Sequence, residues 1–194
     1  QDTGVGIEDF NAKGFVELAD KPLYRPMSEV KLPTVSGKVE MVSGKWAKAG
    51  YNTLPAYQSP QHPPQGLFRI AFGRVGVHTQ GHTVNNPLLA ELMPENVAWI
   101  HTSRAAELGI ADGDLVEVFS PRGESGRIKA FVTECVHPEA LFMVHGFGHK
   151  LPVESRARGR GAADHELMPG GLECWDKGGG CLSMQEHFVG VRKI

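Results

Sequence analysis

The chain has few cysteines and few aromatic residues, no surplus of basic residues and no long apolar run. Its three cysteines, Cys135, Cys174 and Cys181, form no CxxC pair, which argues against a zinc ribbon and a disulfide framework. A Cys174–Cys181 bridge stays open, although free thiols are the favoured interpretation. The formal net charge is -2, whereas nucleic-acid binders normally carry excess lysine and arginine. No segment approaches the roughly 18 apolar residues that span a bilayer. We therefore expect neither nucleic-acid binding nor direct membrane insertion.

Glycine and proline are abundant, with 24 and 13 residues among 194. This balance favours short strands and many turns over a helical bundle. The first residue is Gln1 rather than methionine, and no secretory signal is visible. We expect the chain to be a processed protein or a piece of a longer one.

Three segments follow one another along the chain. Residues 1–45 resemble an extended lead-in from a preceding domain. Within it, Ile7 to Lys13 predicts a short helix ended by Gly14, and residues 32–41 predict a turn leading into a strand. Residues 46–66 form a proline-rich connection, and residues 67–194 form the globular body.

Short strands and turns dominate the globular body. Thr102 or Ser103 is expected to cap a helix over Arg104 to Leu108, which Gly109 ends. Short strands with few helices favour a closed β-barrel. The predicted strands lie at Ile70–Phe72, Val97–Ile100, Leu115–Ser120, around Ile128–Val132, at Ala140–His145 and at Phe188–Val191.

A polar loop follows the first of these strands. Glycines beside many side-chain donors are typical of a site for a large, polar, anionic ligand. The loop contains His78, Thr79, Gln80, Gly81, His82, Thr83, Asn85 and Asn86. A second loop, His145-Gly146-Phe147-Gly148-His149, spaces two histidines as a zinc-binding helix would, but its glycines disfavour a helix.

Several motifs, in order, resemble the last domain of the molybdenum oxidoreductases that bind two molybdopterin guanine dinucleotides, the DMSO-reductase family. The sequences GRVGVHTQGHT and NVAWIHTSRAAELGIADGDLVEVFSPRG carry this resemblance, and LPTVSGKVEM precedes them. The closing HGFGHKLPVESRARGRGAADHEL and MQEHFVGVRK are most similar to thiosulfate and polysulfide reductases.

The resemblance implies a mainly β fold, a six-stranded double-psi barrel of the aspartate-decarboxylase-like type with short helices. This domain would close over pterin dinucleotides that hold molybdenum or tungsten. The metal ligand and an iron–sulfur cluster would belong to the missing N-terminal part, so the chain alone would be neither catalytic nor metal-ligating. Expected partners are the preceding domains, an iron–sulfur electron-transfer subunit and a membrane anchor. The resemblance implies a periplasmic location, and a cytoplasmic one stays open.

The resemblance also assigns candidate cofactor-binding residues. Hydroxyl, amide and imidazole groups would contact phosphate and pterin atoms, and Arg74 would pair with phosphate through its guanidinium fork. Structural bracing is the alternative for Arg74 and Asn86, and simple solvent exposure is the alternative for Lys38 and Gln185. The full set is Lys38, Arg74, His78, Thr79, Gln80, His82, Thr83, Asn86, His145, Gly146 and Gln185.

Two other functions stay open from the residues alone. A free-standing barrel could bind protein or nucleotide without redox activity. The histidines could instead form a zinc hydrolase site, although no acidic partner or third ligand stands at a suitable spacing.

Overall fold

A computed structural model describes residues 4–17, 24–54, 56–153, 155–170, 174–175, 180–182 and 186–194. The chain divides into two units, Gln1–Ala56 and Tyr57–Ile194. Among the described residues, no helix is long and apolar enough to cross a membrane. The cysteines at 135 and 174 are free thiols.

Two short helices lie in the described part of the first unit. Helix α1 (Ile7–Lys13) ends at Gly14 with φ 73°, which confirms the predicted left-handed terminator. A 3₁₀ turn follows at Met27–Glu29, and α2 (Gly44–Lys48) begins after Ser43, whose hydroxyl accepts a hydrogen bond from the Trp46 N–H.

The prediction of a strand after the turn at residues 34–37 is wrong. Residues 38–41 form no strand, and the side chains of Val39 and Met41 are 65% and 81% exposed. A strand is stable when neighbours pair with its backbone and cover its apolar face. The described residues of the first unit provide neither, so apolar alternation alone was misleading here.

The second unit is built around six strands. They are β1 (Phe68–Gly73), β2 (Val97–His101), β3 (Leu115–Phe119), β4 (Ser125–Thr133), β5 (Ala140–Val144) and β6 (Phe188–Lys193). Among the residues of this unit that the structure describes, three short helices accompany the strands, α3 (Pro87–Leu92), α4 (Thr102–Glu107) and α5 (Asp164–Leu167), with a 3₁₀ turn at Gln80–His82.

The strands close into a barrel in the order β1-β5-β2-β4-β3-β6, which confirms the predicted mainly β, six-stranded architecture. Strands β1 and β5 pair in parallel, as do β2 and β4, and the other neighbours are antiparallel. Alternate residues fill the interior, because side chains of a strand point to opposite faces. The core includes Ile70, Ile100, Val118, Ile128, Leu141, Met143 and Val189.

The parallel pairing of β1 with β5 determines which loops meet. Gly73 at the end of β1 lies opposite Val144 at the end of β5. The segments that follow these strands therefore leave from the same end of the barrel. This end carries the polar loop after β1 and the glycine-rich loop after β5.

Helix α4 has a different cap from the predicted Thr102 or Ser103. The Nδ1 atom of His101 accepts hydrogen bonds from the Ser103 N–H at 3.2 Å and the Ser103 hydroxyl at 2.8 Å. The helix begins at Thr102, directly after β2, so the last strand residue is the cap. Gly109 follows the helix with φ 64°, as expected for a left-handed terminator.

His187, just before β6, should make stability pH-dependent. Burial, followed by the positive charge of Arg122, holds the pKa of His187 below its ordinary value. The unfolded chain then binds a proton more readily than the folded chain, so stability falls as pH decreases below about 6.5. Urea unfolding at pH 7.5 and 5.5 should show a smaller loss for His187→Asn than for the wild type. An equal loss in both proteins would contradict the assignment.

Candidate functional site

A cavity of about 660 Å³ opens where the loops after β1 and β5 meet. This volume is in the range typical of small-ligand sites, roughly 300–1,000 Å³. Three segments surround it: the 3₁₀ turn at Gln80–His82, the loop after β5, and the beginning of α5. Its lining residues are Gln80, Gly81, His82, His145, Gly146, Phe147, Gly148, His149, Lys150, Leu151, Pro152, His165 and Glu166.

The first two segments are interlocked through their backbones. Gly146 has φ 102°, and a Cβ atom there would lie 2.6 Å from the carbonyl carbon of Gln80 and closer still to the Gly81 nitrogen. Gln80 itself has φ 49°, a conformation that costs energy for a residue with a side chain. The wall of the cavity therefore depends on glycine at position 146.

His145 joins the cavity to the buried interior. Its Nδ1 atom lies 2.8 and 3.0 Å from the two carboxylate oxygens of Asp164. Asp164 is fully buried at the first position of α5, whereas the His145 side chain is 32% exposed. The carboxylate thus holds one edge of an imidazole whose ring lines the cavity.

Three further contacts hold the loop after β5. His149 donates from Nε2 to the Gly146 carbonyl at 3.0 Å, and its own carbonyl accepts from the Gly159 N–H at 3.0 Å. Lys150 forms an ion pair with Glu166 across the opening. These contacts connect the loop to both the following segment and α5.

His78 and Thr83 form an internal network rather than lining the cavity. The Met93 carbonyl can only accept, so His78 donates to it from Nε2, at 2.8 Å. The Thr79 N–H donates to the Thr83 hydroxyl oxygen at 2.8 Å, and that hydroxyl lies 3.3 Å from His78 Nδ1. His78 is only 4% exposed and packs edge-on against Phe147. These groups brace the loop.

The remaining candidate residues are not among those that line the cavity. Asn86 caps α3 by accepting from the Leu88 and Leu89 N–H groups at 3.0 and 3.2 Å. Arg74 is exposed, Lys38 belongs to the first unit, and Gln185 lies outside the described residues. The structure brings together Gln80, His82, His145 and Gly146 at the cavity. Cofactor contacts stay predictions for every candidate.

Sequence reasoning did not select several residues that line the cavity or support it. Lys150, His165 and Glu166 lie in a long segment without periodicity, so nothing local marks them. His149 belongs to the second loop, where the predicted cofactor contacts are His145 and Gly146 alone. Asp164 is 19 residues from His145, and no spacing rule connects the two. Among the described residues, no three histidine, cysteine, aspartate or glutamate side chains are grouped to hold a metal ion.

The chain is similar in sequence and in fold to known proteins. The family profile "Molydopterin dinucleotide binding domain" matches residues 68–168. The molybdopterin-containing subunit of thiosulfate reductase from Salmonella typhimurium is 33% identical over 146 residues, covering 73% of this chain and 19% of the relative. Dimethyl sulfoxide/trimethylamine N-oxide reductase of Cereibacter sphaeroides is 28% identical over 149 residues, 72% of this chain and 17% of the relative.

A solved structure supports the same fold. Acetylene hydratase from Pelobacter acetylenicus superposes with a TM-score of 0.69 at 20% identity, covering 82% of this chain and 24% of that chain. The chain thus spans less than a quarter of the length of these relatives. Because the family profile covers both loops of the cavity, the chain belongs to the molybdopterin dinucleotide-binding domain family.

Proposed function

We propose that the chain is the cofactor-binding part of a molybdenum or tungsten oxidoreductase that reduces thiosulfate, polysulfide or a related inorganic sulfur compound. It binds pterin dinucleotides and does not supply the metal ligand. One observation carries the proposal: every residue that lines the cavity lies within residues 68–168, the segment matched by the family. A free-standing binding barrel has no comparable support.

The chemistry of the cavity fits such a cofactor. His82, His165, Gln80 and Lys150 can supply donors, while Glu166, which pairs with Lys150, is the one carboxylate among the lining residues described. Glycines at 81 and 146 let the backbone approach a ligand closely. Pyrophosphate and pterin rings require this combination of backbone donors, cationic groups and imidazoles.

The residues of this chain would bind and orient rather than react. When bound, the molybdenum–pterin group supplies the redox chemistry. Gln80 and His82 donate hydrogen bonds from the turn after β1, and His145 contacts the ligand from the opposite loop. The interlocked backbones keep these donors at constant separation, which lowers the entropy lost on binding.

The substrate and partners belong to the whole enzyme. Similarity to a thiosulfate reductase subunit supports an inorganic sulfur substrate. As part of the proposal, the preceding domains carry the metal ligand and an iron–sulfur cluster. An iron–sulfur subunit and a membrane anchor complete a periplasmic respiratory enzyme.

The test uses the intact protein purified from its natural source. Native mass spectrometry and metal analysis should show a polypeptide well above the 21.1 kDa of this chain, with stoichiometric molybdenum or tungsten and pterin. The protein should reduce thiosulfate or polysulfide with a reduced viologen dye. A native mass near 21.1 kDa without pterin would contradict the cofactor role, and activity with neither sulfur compound would contradict the substrate.

A pair of histidine variants localises the site. His82→Ala in the intact enzyme should release pterin roughly tenfold faster, as expected for one charge-assisted hydrogen bond. His62→Ala is the matched control, because His62 lies beside Glu139, at the opposite end of β1 and β5. Equal release rates in the two variants would place the cofactor elsewhere.

A further inference from the structure

The buried carboxylate of Asp164 has no role in the barrel core. Its side chain is fully inaccessible, and its hydrogen-bond partner among the described residues is Nδ1 of His145. Burying an ionised carboxylate is costly unless it is paired. Helix α5, which begins at Asp164, has only four residues and starts after Ala163, so Asp164 is not its cap. The pairing with His145 is therefore the contact that explains a carboxylate here.

This pairing determines which nitrogen of His145 carries the proton. A carboxylate only accepts hydrogen bonds, so the hydrogen lies on Nδ1. In the neutral ring, Nε2 is then an unprotonated acceptor on the opposite edge. Within the described part of the chain, the hydrogen bonds of the His145 ring are those from Nδ1 to Asp164, so Nε2 is left without a partner. His145 lines the cavity, and its side chain is 32% exposed.

A second histidine provides the opposite case. Nδ1 of His101 accepts from the Ser103 N–H, which can only donate, so the hydrogen lies on Nε2 and faces Glu134 at 3.1 Å. Both histidines thus pair with a carboxylate, but through different ring nitrogens. The backbone around each ring, rather than the presence of a carboxylate, sets the tautomer.

We propose that Asp164 is a positioning residue that presents Nε2 of His145 to the cavity as a hydrogen-bond acceptor for an N–H or O–H donor on a heterocyclic ligand. Elsewhere in the cavity lining, Gln80 and His82 can donate, and the Glu166 carboxylate is already paired with Lys150. His145 is therefore the acceptor that recognises a donor edge of the ligand. The nature of the ligand rests on the proposed function, whereas the tautomer does not.

The test is the tautomer of His145 in the 194-residue chain, labelled with ¹⁵N in histidine. Long-range ¹H–¹⁵N correlation spectra at about pH 8, where an ordinary imidazole is neutral, should show Nδ1–H for His145 and Nε2–H for His101. In Asp164→Asn and Asp164→Leu, the Nδ1–H to Nε2–H ratio at His145 should fall by at least about tenfold, the effect of one charge-assisted hydrogen bond. Glu134→Gln is the matched control and should leave His145 unchanged.

Two results would overturn the proposal: Nε2–H at His145 in the wild type, or an unchanged ratio in a folded Asp164 variant. A purely structural Asp164 would change the unfolding midpoint without changing this ratio. If Asp164→Leu does not fold, the wild type and Asp164→Asn decide the question. Titration with a reduced pterin forms a separate arm. Addition of the pterin should shift the ¹⁵N signal of Nε2 of His145 in the wild type. If the tautomer is as expected but this signal does not shift, the proposed cofactor role fails, because Nε2 then accepts no hydrogen bond from the ligand.

Discussion

Replacing Gly146 by alanine should destabilise the second unit by about 3 kcal/mol and disrupt the cavity. The new Cβ would clash with backbone atoms of Gln80 and Gly81, which cannot move away as a flexible side chain could. The φ of 102° adds strain for any residue with a side chain. Urea unfolding of the variant measures the free-energy loss.

Gly76→Ala provides the matched control, because Gly76 lies in the loop after β1 against which Gly146 packs, and a Cβ atom there would meet nothing within 4 Å. Its effect on the free energy of unfolding should stay within about 0.5 kcal/mol. Comparable losses in the two variants would show that the interlocked backbones do not limit stability. In the intact enzyme, Gly146→Ala should also lower pterin content, while Gly76→Ala should not.

Asn96→Ala should lower the free energy of unfolding by about 3 kcal/mol. The fully buried Asn96 carboxamide donates to the carbonyls of Val144 and Ala162 at 2.8 and 2.9 Å and accepts from the Ala162 N–H at 3.0 Å. Alanine would leave three buried backbone groups without their partner. The same bonds connect the end of β5 to the segment that precedes α5, so the cavity should widen as well.

The comparison is Asn86→Ala, which removes an exposed helix cap and should cost about 1 kcal/mol. Urea unfolding of both variants separates a buried polar network from a surface cap. If Asn96→Ala costs no more than Asn86→Ala, water or relaxation replaces the lost bonds and the bridging role of Asn96 is wrong. Protection of the Ala162 amide from hydrogen exchange should fall only in Asn96→Ala.

Local patterns predicted most of the barrel. Alternation of Ile128, Ala130 and Val132 marks β4, and such alternation is typical of a strand that has one apolar face. The same reasoning failed at Val39, because pairing depends on a neighbour that local sequence does not specify. It also missed α3, although Pro87 after Asn86 is a typical helix start.

The composition of the two loops predicted a ligand-binding site, but the sequence did not predict which side chains reach the cavity. Polar residues in the loops at 78–86 and 145–149 indicated ligand binding, and Gln80, His82, His145 and Gly146 do line one cavity. Composition could not distinguish His82, which reaches the cavity, from His78, whose ring nitrogens are used internally. That distinction depends on the Met93 carbonyl, 15 residues further along.

The barrel class, the family resemblance and the two loops rich in donors were predictable from the residues, because they depend on periodicity and residue type over short distances. The meeting of the two loops was not predictable, since it follows from the parallel register of β1 and β5 in the folded barrel. The pairing of Asp164 with His145 and the packing of Gly146 against Gln80 likewise exist only in the folded chain. Such contacts join distant segments through three-dimensional packing, and no local propensity encodes them.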